Sequence, residues 1–195
     1  MYTDYPELRK VIGSNGKDKR FRNNIFEKVF LFTDNEIEDS IKVLGIQKNK
    51  RTWKYIAAKY VDMSHENINT WKVFVPRANG SGALGEVLST PLIGQPLIGH
   101  TQSFISIGSF STEQEAEACL KYIKSKFARV LLGVLKVTQD NDRGVWKYVP
   151  LQDFTSMLDI DWSQSISDID KQLYAKYGLD EEEISFIETH VKEMD

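Results

Sequence analysis

The chain has 195 residues, 41% of them hydrophobic and 27% charged, with a net charge of −3. This composition excludes a disordered or fibrous polypeptide and suffices for one generous core or two small ones. No stretch reaches the roughly 18 uninterrupted apolar residues of a membrane span, and the opening "MYTDYPELRK" lacks the apolar run of a signal peptide, so a cytoplasmic protein with no membrane partner is expected.

Split along the chain, the charge is informative. Residues 1–149 carry 22 Lys and Arg against 16 Asp and Glu, an excess of +6, whereas residues 150–195 carry 3 against 12, a balance of −9. A basic body suits a polyanionic partner, because phosphate neutralisation with counterion release supplies most sequence-independent nucleic-acid affinity. The single Cys119 excludes an internal disulfide and reads as a small core residue.

In chain order, residues 7–32 begin with a basic stretch broken by Gly and Asn, in which Arg9, Lys10, Lys17, Lys19, Arg20 and Arg22 precede the apolar "IFEKVFLF". A DNA-facing or mobile loop leading into a buried segment is expected. In "TDNEIEDSIKVLG", Thr33 and Glu36 fit a capping box, Ile37, Ile41 and Leu44 recur at helical spacing, and Gly45 offers a stop, so a short amphipathic helix is expected. After the basic turn "QKNKR", "TWKYIAAKYVDM" and "NTWKVFVP" read as strands from their aromatic and β-branched content.

Residues 76–101 hold five Gly and three of the five Pro, and P-L-I-G recurs at a five-residue offset. An extended, twice-turned loop with its Leu/Ile pairs anchored on the core is expected. Gly80-Ser81-Gly82-Ala83-Leu84-Gly85 satisfies G-x-G-x-x-G, but a dinucleotide site also needs a helix start directly after the glycines. Pro91 and Pro96 fall where that helix would run, and no Lys-Ser or Lys-Thr follows to make a P-loop. "SFISIGSF" alternates as a strand. "STEQEAEACLKYIKSKFARVLLGVL" predicts one long helix over 112–132, capped by Thr112 and Glu115, with Ala116, Leu120, Ile123, Phe127 and Val130 along one stripe. "GVWKYVPLQDF" reads as a last strand. Two acidic helices, "SISDIDKQLYAKYG" and "DEEEISFIETHVKEM", close the chain around Gly178. The class expected is α+β: a mixed or antiparallel sheet platform with a long packed helix, a long Gly/Pro-rich central loop and a C-terminal helical pair. Residues 1–150 would form the main domain and 151–195 a helical extension, or all 195 a single domain.

Chemistry-bearing motifs are sparse. His65, His100 and His190 lack metal-ligand spacing, and neither G-x-S-x-G nor a Cys/His pairing offers an acyl-transfer nucleophile. Asp34, Glu36, Glu38 and Lys42 could serve a metal-dependent nuclease, which stands as an alternative reading. A protein-interaction scaffold working through the acidic tail is another.

The Pro-x-Ala-x-Gly-like loop 76–82, "SFISIGSFSTEQEA", "YIKSKFARVLL", "WKYVPLQDF" and "IDKQLYAKYGLDEEEISFIE" occur in an order and spacing that resemble the C-terminal target-recognition part of adenine-specific type II and type IIG restriction-modification methyltransferases. The resemblance covers about residues 30–195. It implies sequence-specific binding of double-stranded DNA and a catalytic methyltransferase domain as partner, in cis or in trans. The Asn/Asp-Pro-Pro-Tyr/Phe tetrapeptide that such enzymes use on the flipped adenine is not in this sequence, nor is a methyl-donor glycine motif. No catalytic residues, cofactor or metal are therefore expected in this chain, and S-adenosylmethionine would belong to the catalytic domain.

On that reading, Lys48, Lys50, Arg51 and Lys54 would contact phosphates, together with Lys126 and Arg129 on the long helix. Arg77, Asn79, Ser81, His100, Thr101 and Gln102 in the central loop would approach the phosphate backbone or base edges.

Overall fold

The computed structural model describes residues 1–12, 20–155 and 159–194. Lys17 and Lys19 lie outside the described residues. In chain order the elements are α1 (Leu8–Ile12), α2 (Ile25–Lys28), β1 (Ser40–Gln47), β2 (Lys50–Ala57), β3 (Trp71–Pro76), β4 (Leu92–Gly94), β5 (Ile98–His100) and β6 (Phe104–Phe110). Four helices follow: α3 (Glu113–Lys124), α4 (Lys126–Leu135), α5 (Ile166–Tyr177) and α6 (Glu181–His190). The strands form two three-stranded sheets, ordered β2-β1-β5 and β4-β3-β6. The fold is α+β, as the element pattern predicts.

Two compact units result. The first comprises Met1–Thr70 and Gly94–Ile105, the second Trp71–Ile93 and Ser106–Asp195. In the first, β1 pairs antiparallel with β2 and parallel with β5. Ile41, Val43 and Ile56 lie on one face of this sheet and pack with Leu8, Ile12, Ile25, Phe26, Val29 and Phe32. The apolar run after the basic stretch is thus core, as expected. Gly45 permits the close approach of α2, since a Cβ there would stand 2.3 Å from the Phe26 ring.

The helix expected over 33–45 is not formed. Asp39 has φ +51°, which no right-handed helix accommodates, and its carbonyl accepts from Ala58 N–H as β1 begins. From Ser40 the backbone groups join β2 over eight residue pairs. Ile37, the first residue of the proposed helical stripe, is 43% exposed. Long-range strand pairing overrides a local pattern that three apolar residues barely define.

In the second unit α3 packs on β3, whose residues Lys72 to Pro76 are all buried. The long helix is interrupted. Ser125 takes ψ 149°, and its hydroxyl accepts from Ala128 N–H, so it both ends α3 and caps α4. The Asp170 carboxylate of α5 accepts from Lys126 N–H at 3.0 Å and Phe127 N–H at 2.9 Å, satisfying two further amides of the new N-terminus. The strand expected at 144–154 is also not formed. Arg143–Trp146 is a 3-10 turn capped by Asp142, with Trp146 Nε1 donating to Asn141 O, and the chain beyond is irregular with Leu151 94% exposed.

The closing helices match expectation. Ser165 caps α5, Gly178 ends it in the left-handed region at φ +66°, and Asp180 with Glu183 forms a capping box on α6. Cys119 is buried in α3, where desolvation pushes its thiol up to about 12. The two P-L-I-G copies become β4 and β5, edge strands of different sheets. The central segment is therefore a loop at 77–91 followed by two short strands.

Candidate nucleic-acid interface

Lys48 and Asn49 form the two-residue link between β1 and β2, both with positive φ (49° and 61°), as a type I′ hairpin turn requires. The tip carries Lys48, Lys50 and Arg51, all three exposed, with Lys50 and Arg51 on opposite faces of β2. Lys54, further along β2, is held differently. Its side chain is 11% exposed and its ammonium pairs with Asp34.

The tip does not stand alone. Lys48 N–H donates to the Glu27 carboxylate of α2 at 3.4 Å. Arg51 lies over the Phe104 ring at 5.6 Å, and partial burial lowers its pKa, although a guanidinium remains charged. Gln102 N–H donates to Phe21 O at 2.6 Å, which ties the segment carrying Arg20 and Arg22 to the loop preceding Phe104. Exposed Arg20, Arg22 and Lys28 thereby join Lys48, Lys50 and Arg51 in one cationic neighbourhood of the first unit, with Gln102 half-buried among them. The unit carries 13 Lys and Arg against 10 Asp and Glu, a net +3, and the remainder of the chain is at −6. Lys28, lying inside the apolar run 25–32, offered no sequence signal. The Arg20-Phe21-Arg22 pattern did.

The remaining site candidates fall into two groups. His100 is half-buried on β5 with Nδ1 2.9 Å from Thr101 O, and Thr101 is fully buried, so Thr101 cannot reach a base edge. The others belong to the glycine loop of the second unit, which is not the open reading loop expected from its composition. Its entry pairs with residues 139–141 through Asn79 N–H to Gln139 O and Asn141 N–H to Arg77 O. Arg77 faces Asp140 at 3.4 Å. Asn79 is buried, donating to Val87 O and accepting from Ser89 N–H. Ser81 donates through both N–H and hydroxyl to the Glu86 carboxylate at 2.7 Å, and Gly82 N–H adds a third donor at 3.1 Å.

Lys136, 4% exposed, completes that cradle at 3.1 Å and also donates to Asn79 O. Burial alone would raise the Glu86 pKa, but the donors of Ser81, Lys136 and Gly82 outweigh it and hold the carboxyl at about 2. The glycine-rich turn is thus an anion nest occupied by the chain's own carboxylate. Arg129 is 2% exposed; its guanidinium donates to the carbonyls of Lys124, Gly85, Glu86 and Lys192, clamping the loop rather than facing solvent. Lys126 pairs with Glu188. The DNA-contacting roles expected of Asn79, Thr101 and Arg129 are withdrawn on burial, and that of Ser81 on its commitment to Glu86.

Among the described residues no three His, Cys, Asp or Glu side chains gather as a metal site. Asp34 is engaged by Lys54, while Glu36 and Glu38 are exposed in the turn before β1. Comparison of the chain with protein-family models, curated proteins and solved structures finds no match.

Proposed function

We propose that the chain binds double-stranded DNA through the first unit, as the target-recognition part of an adenine-specific restriction-modification methyltransferase. Methyl transfer, with its S-adenosylmethionine, is assigned to a separate catalytic domain. The observation that carries the binding reading is the β1–β2 hairpin, whose turn presents Lys48, Lys50 and Arg51 beside Arg20, Arg22 and Lys28. The methyltransferase association rests on the motif resemblance.

Two-stranded ribbons enter the major groove, and Arg or Gln can read base edges there while Lys neutralises phosphates. Arg51, stacked on Phe104, and Gln102 are the side chains assigned to base contacts; Lys48 and Lys50 are assigned to phosphates. Fluorescence anisotropy with duplex DNA at several salt concentrations tests this. Lys48→Ala and Lys50→Ala should each weaken binding uniformly across sequences and reduce the slope of log K against log salt by about 1. Arg51→Ala should cost about 1–3 kcal/mol and relax sequence preference. Affinity unchanged in the Lys48→Ala/Lys50→Ala double variant would sink the reading. A nuclease would instead show sustained cleavage with Mg²⁺, lost in Asp34→Ala.

A further inference from the structure

We propose that the groove between α4 and α6 is a docking site for a cationic amphipathic helix of another polypeptide. Phe127, Val130 and Leu131 of α4 face Leu179, Phe186 and Ile187 across a concavity of about 450 Å³. Helix α4, "KFARVLLGVL", is apolar nearly all round, a composition that belongs to a helix covered on every side. Ala128 and Leu132 are buried, yet Val130 and Leu131 are only half-buried and Val134 is 55% exposed. Phe186, at 44% exposure, stacks on His190 of its own helix. An open apolar strip of this kind marks an interaction surface.

Its shape and charge select the occupant. Val130, Leu131 and Val134 lie within one turn on the uncovered side of α4, a short apolar strip on which a partner helix can seat, while Phe127 is buried and stacked on Tyr177. The groove is open-sided, so a small apolar ligand would stay largely wet, whereas pockets for such ligands cover most of the ligand surface. Glu182 and Glu183 line one end, in a C-terminal stretch that carries 12 acidic residues against 3 basic ones from Pro150 onward. Those carboxylates repel DNA. They also oppose pairing of two copies through this patch, since a two-fold axis would set the same acidic end groups into one shared interface. A helix with Leu, Ile or Phe on one face and Lys or Arg flanking it matches both the strip and its rim.

The probe is a fluorescein-labelled 16-residue peptide with Leu at i, i+3, i+4, i+7 and onward and Lys elsewhere, titrated with the full chain. Its control carries Glu in place of Lys. Saturable binding of the Lys peptide is expected, at least tenfold tighter than of the Glu peptide. Phe186→Asp and Glu182→Lys, both at exposed positions, should each weaken it by tenfold or more while leaving the Tm unchanged. Equal binding of both peptides, or wild-type binding by both variants, overturns the proposal. A dimer in sedimentation that Phe186→Asp dissociates overturns it in favour of a second copy.

Discussion

At the scale of single residues, the glycine loop shows how a motif can be matched by letters and reversed by geometry. The strand before Gly80 and the donors at Ser81 and Gly82 do form an anion cradle, but Glu86 fills it. Nothing in the sequence ranks Glu86 above the other acids; only the fold brings Lys136 and the loop amides to it. Glu86→Ala should destabilise the chain by about 3 kcal/mol, because it strands a buried ammonium, and chemical denaturation measures this. The folded-state pKa of about 2 lies below the ordinary 4.5, so the Glu86 contribution is complete above pH 4.5 and drains away as pH falls toward 2. The Tm difference between wild type and Glu86→Gln should therefore shrink across that window. Gly82→Ala, at φ +94° and with its Cβ 2.7 Å from Thr138 N, should be destabilising irrespective of pH.

At the scale of elements, capping signals were read well where they preceded a long periodic run and poorly where they did not. Thr112 caps the helix expected of it, accepting from the amide three residues on; Ser165 and Asp180 cap α5 and α6 in the same way, although neither cap is singled out by sequence. Thr33 mimics that signal, but its backbone bridges Tyr55 instead, because the apolar spacing behind it suits a strand as well as a helix. The interruption at Ser125 was not legible. It depends on Asp170, 45 residues away in sequence, whose carboxylate takes up amides that a continuous helix would satisfy internally. Ser125→Ala should cost about 1 kcal/mol by loss of the cap, read as a lower denaturation midpoint. In the β1–β2 hairpin, Asn49→Gly should stabilise by about 0.5 kcal/mol, since glycine tolerates φ +61° without steric cost.

At the scale of the whole molecule, the α+β class was legible from element types, while the grouping of elements was not. The acidic helices expected as an appendage belong to the second unit, where Ile169, Leu173, Tyr174 and Ile187 are buried and Asp170 and Lys192 hold α4 through its amides and Arg129. A chain ending at residue 150 should therefore lose its near-ultraviolet circular dichroism and aggregate. The cationic neighbourhood was half legible. Its bases were visible as clusters near 20 and 50, but their union depends on the Phe21–Gln102 and Arg51–Phe104 ties. The tandem P-L-I-G explains why a sequence that looks redundant is not. One copy borders one sheet and the next copy borders the other, so excising five residues would leave a tetrapeptide that still aligns perfectly and a molecule short of one border, with no spare to take its place.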